Sequence, residues 1–126
     1  HTCLPCDNQI WVLGGESLSA MSDVWSSPDG MTWTKIAENT GFGQRTAHTS
    51  LCIDNMLYVM GGKSNVALGN VYESGDGQNW TCLDTSADWG PRYDHASVYF
   101  QDKIWIMGGK NDQGDYFNDV WYWQQN

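Results

Sequence analysis

The chain has 126 residues, enough for one ordinary domain, and a formal charge of −9 from 6 basic and 15 acidic side chains. The basic residues are scattered, so they form no continuous patch for nucleic acid or an anionic membrane. No segment approaches the roughly 18 apolar residues of a membrane-spanning helix. The composition includes 8 Trp, 6 Tyr and 14 Gly, which favours short strands and tight turns.

The predicted elements recur in the same order every 47 residues. Each repeat opens with a strand that contains or follows a histidine, predicted at residues 2–6, 47–53 and 96–100. A two-residue turn follows, at Asp7-Asn8, Asp54-Asn55 and Gln101-Asp102. The second strand is apolar at consecutive positions, which predicts burial on both faces. It ends at a double glycine, Gly14-Gly15, Gly61-Gly62 and Gly108-Gly109.

The second half of each repeat begins with a loop that differs between the copies. A third strand is predicted around Val24, Val71 and Val120. A turn of Ser, Asp and Gly then leads to a fourth strand, predicted at residues 32–36 and 79–83. Four short antiparallel strands in 47 residues are typical of a propeller blade.

The predicted fold is therefore all-β: a β-propeller segment of about three four-stranded antiparallel blades. We place blade 1 at residues 1–44, blade 2 at 45–91 and blade 3 at 92–126, with the fourth strand of blade 3 missing. Propeller rings need roughly four to eight blades. We expect a fragment of a longer polypeptide of about six blades, because both ends fall within a repeat. The alternative is a half-propeller that pairs with a second copy.

The order of these landmarks resembles the kelch repeat. In the middle copy they read RTAHTSLCIDNMLYVMGG, NVYES and NWTCL. The turns at residues 27–33 and 74–80 are similar to a shortened Asp-box, a hairpin that is structural in sialidase-type propellers. The kelch resemblance implies that partners meet the face made by the inter-blade loops and by the loops after each double glycine.

We expect a protein or glycan to bind on that loop face. The candidate binding residues are Arg45, Lys63, Trp89, Arg92, Tyr93, Lys110 and Asn111. Trp89 and Tyr93 beside Arg92 predict a platform for a sugar or peptide, with packing at the end of the blade as the preferred alternative for Trp89. Repetition of the two arginines favours a hydrogen-bonded scaffold, although the resemblance also implies a minor role in gripping an acidic partner. Residues 111–115 predict a solvated turn.

No metal, cofactor or catalytic residue is predicted. His1, His48 and His95 recur at the same spacing, so rotation about the propeller axis separates them. They are therefore interpreted as buried imidazoles bonded to the backbone, and not as a shared metal site. No Ser-His-Asp arrangement or phosphate-binding glycine loop can be placed.

Cysteines and a glycosylation motif indicate the compartment. The pairing of Cys3, Cys6, Cys52 and Cys82 stays open at this point. The Cys3-x-x-Cys6 motif precedes a strand, which argues against a thioredoxin-like site. Asn79-Trp80-Thr81 is a predicted N-glycosylation site. Together with scarce Lys, these features favour a secreted, extracellular, disulfide-containing glycoprotein.

The leading functional hypothesis is a non-catalytic, kelch-like module for protein or glycan binding or for extracellular structural assembly. Its partners would be a protein or glycan at the loops, plus the remaining blades or a second copy, with no nucleic acid and no membrane insertion. The alternative is part of a carbohydrate-active propeller enzyme of the galactose-oxidase, sialidase or sialic-acid-epimerase type. The enzyme would need non-repeated His, Tyr, Glu or Arg side chains converging near the ring axis.

Overall fold

Strands make up the regular structure of the part of the chain that the computed structural model describes, residues 1–125. In chain order they are β1 (Thr2–Cys6), β2 (Gln9–Glu16), β3 (Ala20–Ser27), β4 (Thr34–Ala37), β5 (Thr49–Ile53), β6 (Met56–Met60), β7 (Val71–Ser74), β8 (Thr81–Asp84), β9 (Ala96–Phe100), β10 (Lys103–Met107) and β11 (Val120–Trp123). Within this range, no helix is long and apolar enough to cross a membrane.

The strands form three antiparallel sheets, which we call blades 1, 2 and 3. Blade 1 has the order β1-β2-β3-β4, blade 2 the order β5-β6-β7-β8, and blade 3 the order β9-β10-β11. Contacts between blades include those of β5 with β1 and with β9, so the first strand of each blade is innermost. The all-β propeller fold is thereby confirmed, and over residues 1–125 the three sheets do not close a ring.

Turn chemistry sets the register of each first hairpin. Asp7 and Asn8 have φ of 48° and 58°, and the strands pair without a gap at Cys6 and Gln9. Two consecutive positive φ values are the geometry of a type I′ turn, whose twist matches the flanking strands. The same conformation occurs at the two later turns, including the one that begins with Gln101.

The turn between β3 and β4 of blade 1 is held by hydrogen bonds between side chains and the backbone. Asp29 Oδ1 accepts hydrogen bonds from the backbone N–H of Met31 and Thr32 at 2.8 and 2.9 Å, and Ser27 Oγ accepts one from Gly30 at 2.8 Å. Equivalent bonds recur in blade 2, where they lower the pKa of Asp76 to about 2.

A tryptophan at the end of each of these turns explains where the fourth strands begin. Trp33 Nε1 donates to the carbonyl of Gly30 at 3.2 Å, and Trp80 Nε1 donates to that of Gly77 at 2.9 Å. Both tryptophans therefore belong to the turn. The outer strands β4 and β8 start two residues later than the sequence predicts.

The core consists of two layers, each between adjacent blades. The layer between blades 1 and 2 contains Leu4, Cys6, Trp11, Leu13, Val24, Phe42, Leu57 and Val59. The layer between blades 2 and 3 contains Tyr58, Met60, Val71, Ala87, Trp89, Ile104 and Ile106. Large flat side chains fill the space where twisted sheets splay apart.

The predicted burial of the second strands on both faces is confirmed only for β6. Its residues Leu57–Met60 are all buried, because blades lie on both sides of it. In β2 and β10 buried residues alternate with half-buried ones, so the prediction is wrong there. The reason is that, among the described residues, each of these strands has a neighbouring blade on one side only.

A disulfide between Cys6 and Cys52 joins the innermost strands of blades 1 and 2. Cys3 is an exposed free thiol and Cys82 a half-buried one. The structure thus decides the pairing that the sequence left open. Pairing across blades requires a relative placement of two sheets that spacing along the chain does not reveal.

Candidate functional site

The loop between blades 1 and 2 is anchored by Arg45, which is 1% exposed. Its guanidinium donates to the carbonyl of Gly61 at 2.8 Å, to Asn70 Oδ1 at 2.9 Å and to the carbonyl of Phe42. Burial lowers the pKa of Arg45 to about 10. The side chain therefore ties the inter-blade loop to the double-glycine turn of blade 2.

Arg92 performs the same task one repeat later. It donates to the carbonyl of Gly108 at 2.9 Å and to the carbonyl of Trp89. It also binds both carboxylate oxygens of Asp119, at 2.6 and 3.0 Å, and its guanidinium carbon lies 4.1 Å from the ring centroid of Phe117. A bidentate pair at a buried guanidinium is a strong fixed contact.

Two histidines hold the innermost strands together. Nε2 of His48 lies 3.0 Å from Oγ1 of Thr2, and Nε2 of His95 lies 2.9 Å from Oγ1 of Thr49. Burial, reinforced by the neighbouring arginine, lowers the pKa of His48 to about 3 and that of His95 to about 4. Both imidazoles are therefore neutral at physiological pH. Over residues 1–125, no group of three or more His, Cys, Asp or Glu is placed to hold a metal ion.

Three of the candidate residues meet on the loop face. The Lys63 ammonium lies 4.8 Å from the ring centroid of Tyr93, and the Lys110 ammonium lies 5.3 Å from the same centroid. Isolated backbone bridges fix them, since Thr46 pairs with Lys63 and Tyr93 pairs with Lys110. The geometry places one aromatic ring within reach of two cations.

Each lysine of this group is paired with a carboxylate. Lys63 Nζ lies 3.7 Å from Asp112 Oδ1, and Lys110 Nζ lies 3.1 Å from Asp94 Oδ2. The contact with Asp94 raises the pKa of Lys110 above its ordinary value. The group therefore offers no excess positive charge for an anion.

A cleft of about 620 Å³ opens beside Tyr93. Its walls come from the end of β2 and the start of β3, the two loops between blades, and the loop after the double glycine of blade 2. Most of the lining side chains are polar. They are Glu16, Leu18, Ser19, Ala20, Gln44, Thr46, Ala47, Lys63, Ser64, Asn65, Tyr93 and Asp94. A concave site with several donors and acceptors around one ring can orient a small polar ligand. We call it the loop-face cleft.

The other candidate residues lie elsewhere. Trp89 and Asn111 line a separate cleft of about 360 Å³. Trp89 is nevertheless buried in the core between blades 2 and 3. Asn111 Oδ1 accepts from the backbone N–H of Gln113 and Asp115, both at 3.0 Å, which closes its own turn. Arg45, Trp89 and Arg92 are buried, with 1, 4 and 1% of their surface exposed.

The polar lining of the loop-face cleft lies largely in the inter-blade loops and the loops after a double glycine, where the resemblance places partners. Gln44, Ser64 and Asn65 were not singled out within those loops, because the repeats differ there and periodicity carries no signal for single residues. Asp94, which directly precedes His95 and has a φ of 58°, was not singled out either. The predicted glycosylation residue Asn79 is exposed, and its Nδ2 donates to Asp76 Oδ2 at 2.8 Å.

Comparisons with known proteins agree with the architecture. The family model of the DUF6242 beta propeller domain matches residues 5–122, which spans all three blades. A comparison with curated proteins found no match.

Proposed function

The chain belongs to the DUF6242 beta propeller domain family. We propose that it is a non-catalytic, kelch-like binding module whose loop-face cleft binds a neutral glycan. The observation that carries the proposal is the presence of Tyr93 in the wall of a cleft whose other lining side chains are mostly hydroxyl, amide and charged groups. Sugars present apolar C–H faces to an aromatic ring and hydroxyls to polar side chains.

Charge pairing favours a neutral ligand over an acidic one. Both lysines beside Tyr93 already have a carboxylate partner, and Glu16 adds a further negative charge to the cleft. The chain as a whole carries −9, which repels polyanions. A protein partner is less favoured, since interface centres are depleted in charged residues.

An extracellular location is part of the same proposal. The Cys6–Cys52 disulfide supports it, because disulfides persist mainly in oxidising compartments. The exposed position of Asn79 is compatible with glycosylation at the sequon. Detection of the protein outside the cell, with an intact Cys6–Cys52 bond in a non-reducing peptide map, would support this part.

Binding is tested by affinity electrophoresis in gels containing neutral polysaccharides of defined composition, such as glucans, mannans, galactans and xylans. We expect at least one to retard the protein. Tyr93→Ala lowers that affinity by roughly tenfold, the loss expected when about 1.4 kcal/mol of ring contact is removed.

The matched control is Tyr116→Ala. Tyr116 is an exposed tyrosine, whereas Tyr93 is half-buried, and its ring centroid also lies near Lys110, 5.9 Å from the ammonium, but it is not part of the cleft wall. Its removal leaves binding unchanged. Retention of acidic polysaccharides alone, or equal losses from both variants, would contradict the proposal.

A carbohydrate-active enzyme is the second candidate, because Glu16 and Asp94 both line the cleft. Two carboxylates flanking a sugar are the minimal set for most glycoside hydrolysis. Incubation with the retained polysaccharide separates the candidates. The binding module releases no reducing ends, whereas release that disappears in Glu16→Gln would establish the enzyme instead.

A further inference from the structure

One carboxylate of blade 3 reaches the wall of the loop-face cleft from behind. Asp112 lies in the loop after Gly109, and it lines the neighbouring cleft of about 360 Å³ and not the loop-face cleft. Its Oδ1 lies 3.7 Å from Nζ of Lys63, and its Oδ2 accepts a hydrogen bond from the backbone N–H of Ala67 at 2.7 Å. A single side chain of blade 3 therefore binds both ends of a short segment of blade 2, residues 63–67.

We call residues 63–67 the wall segment, because its first three residues line the loop-face cleft. The backbone of Lys63 is held by Thr46, with one hydrogen bond in each direction at 2.8 and 2.9 Å. The tip is a tight turn, in which Ser64 N–H donates to the carbonyl of Val66 at 3.1 Å. The start of the wall segment is thus fixed by the loop between blades 1 and 2, and its end is fixed by blade 3.

The hydrogen bond from Ala67 fixes that end. Ala67 is 8% exposed, and a buried N–H without an acceptor destabilises the fold. A carboxylate also makes a stronger, charge-assisted bond than a neutral oxygen does. Asp112 therefore determines where the wall segment returns to its sheet.

The same carboxylate offsets the charge that a ligand meets beside Tyr93. The Lys63 ammonium lies 4.8 Å from the ring centroid of Tyr93, and both residues line the loop-face cleft. The side chain of Lys63 is 37% exposed and that of Asp112 is 31% exposed. Lys110, the second lysine near this ring, is paired with Asp94, which is itself part of the cleft wall. Asp112 differs from Asp94 because it balances a lysine from outside the cleft.

Position along the repeat distinguishes Asp112. Counting 47 residues back leads to Asn65, which is uncharged, and a further 47 to Leu18, which is apolar. The loop after Gly109 also has two more residues between its bridged positions than the loop after Gly62. The carboxylate is therefore a feature of this one loop and not of the repeat.

We infer that Asp112 is a positioning residue that makes the loop-face cleft select neutral over acidic glycans. It acts through two contacts: the bond to Ala67 keeps the wall segment in place, and the pair with Lys63 offsets the charge beside Tyr93. The inference rests on the proposed function, because it concerns the same cleft. It adds the group that sets the charge preference of that cleft.

Two substitutions separate the two contacts. Asp112→Asn keeps an oxygen acceptor for Ala67 but removes the charge opposite Lys63, whereas Asp112→Ala removes both. In affinity electrophoresis we expect Asp112→Asn to bind the neutral polysaccharide as the wild type does. It binds polygalacturonate roughly threefold more tightly at low salt, as expected for one exposed charge contact. Asp112→Ala binds the neutral polysaccharide roughly fivefold more weakly, because the wall segment is no longer preorganised.

Salt and a matched control identify the source of the gain. The gain for polygalacturonate declines between about 0.01 and 0.15 M salt, because salt screens exposed charges. Asp115→Asn removes one carboxylate from the same loop, but Asp115 Oδ2 accepts from Nδ2 of Asn111 at 3.1 Å. It leaves binding unchanged although the net charge shifts equally. Combining Asp112→Asn with Lys63→Gln removes the gain, since the freed ammonium is then absent.

Hydrogen exchange measured by NMR tests the contact with Ala67 without any glycan. We expect the Ala67 amide to exchange roughly tenfold faster or more in Asp112→Ala than in the wild type. In Asp112→Asn the rate stays close to that of the wild type, because the acceptor is kept. Circular dichroism checks that each variant is folded.

An unchanged Ala67 exchange rate in Asp112→Ala would overturn the inference. An equal gain for polygalacturonate in Asp115→Asn, or a gain that persists with Lys63→Gln, would overturn it as well. A wild type that binds no neutral polysaccharide would instead overturn the proposed function. In that case the exchange rates and the polygalacturonate gain would still support the role of Asp112 in the position and charge of the wall segment.

Discussion

At the residue scale, Gly77 is constrained by its neighbour more than by its own backbone. A Cβ at Gly77 would lie 2.4 Å from the ring of Trp11. Trp11 Nε1 donates a hydrogen bond to the carbonyl of Cys6 at 3.0 Å. The ring is buried in the layer between blades 1 and 2 and cannot move aside without breaking contacts. We expect Gly77→Ala to lower the free energy of unfolding by about 1–3 kcal/mol beyond any backbone strain.

Gly43→Ala isolates the backbone contribution. Gly43 has φ of 78°, against 77° for Gly77, and no atom within 4 Å of its Cβ position. Its substitution therefore costs only the left-handed strain of an L-residue, roughly 1–2 kcal/mol. Urea denaturation of both variants gives the difference directly. Equal losses would show that the Trp11 contact does not constrain Gly77.

At the scale of the elements, the Cys6–Cys52 disulfide links β1 to β5 across 46 residues of chain. Closing a loop of this length restricts the unfolded state, so we expect Cys6→Ser with Cys52→Ser to lower the free energy of unfolding by about 2–4 kcal/mol. The double variant should also unfold identically with and without reducing agent, whereas the wild type should lose stability when reduced.

Cys3→Ser is the matched control for this pair. Cys3 is on the same strand as Cys6 but is an exposed free thiol. Its substitution leaves both stability and the response to reducing agent unchanged. If Cys3→Ser abolished that response, the bond would involve Cys3 in place of Cys6.

At the scale of the whole molecule, two buried histidines couple the stability of the three blades to pH. Their pKa values, about 3 for His48 and about 4 for His95, lie below that of an unfolded histidine. As pH falls below about 6.5 the unfolded chain binds protons that the folded chain does not. The contribution of the two histidines to the free energy of unfolding is therefore fully present above pH 6.5. It falls towards pH 4 by about 1.4 kcal/mol per pH unit for each histidine.

His48→Gln tests this dependence, since glutamine does not titrate and can still bond Thr2. We expect the slope of unfolding free energy against pH to decrease by about 1.4 kcal/mol per unit between pH 6.5 and 4.5. Asp29, Asp76 and Asp119, whose pKa values are lowered in the folded state, contribute the same pH dependence to the wild type and to the variant, so the difference in slope reports His48. His1→Gln is the control and leaves the slope unchanged, as His1 is exposed. An unaltered slope in His48→Gln would refute the assignment.

Much of the architecture was readable from the repeat. The turns at Asp7-Asn8 and Asp54-Asn55 and the double glycines recur at intervals of 47 residues, and the strand order repeats with them. Such features depend on local backbone preferences and on side-chain alternation, which a repeat displays several times over. The starts of β4 and β8 were misplaced, because hydrogen bonds from Trp33 and Trp80 extend the preceding turn.

The candidate site was predictable only in part. Lys63, Tyr93 and Lys110 could be named from their place in the loops, but their common ring contact could not. Nor could the pairing of Lys110 with Asp94, which balances the charge of one carboxylate in the cleft wall. These contacts join loops of different blades, so they depend on how the sheets are placed relative to one another.

The amino-acid sequence by itself determined the all-β repeat, its turns and the order of its strands, since these follow from local chemistry at a fixed period. Only the tertiary structure decided that Cys6 bonds Cys52, that Arg45 and Arg92 are buried in the interior, and that Trp105 is half-buried whereas its repeat equivalent Trp11 is buried. The physical reason is that burial depends on the neighbouring blade, and identical positions in a repeat differ when their neighbours differ.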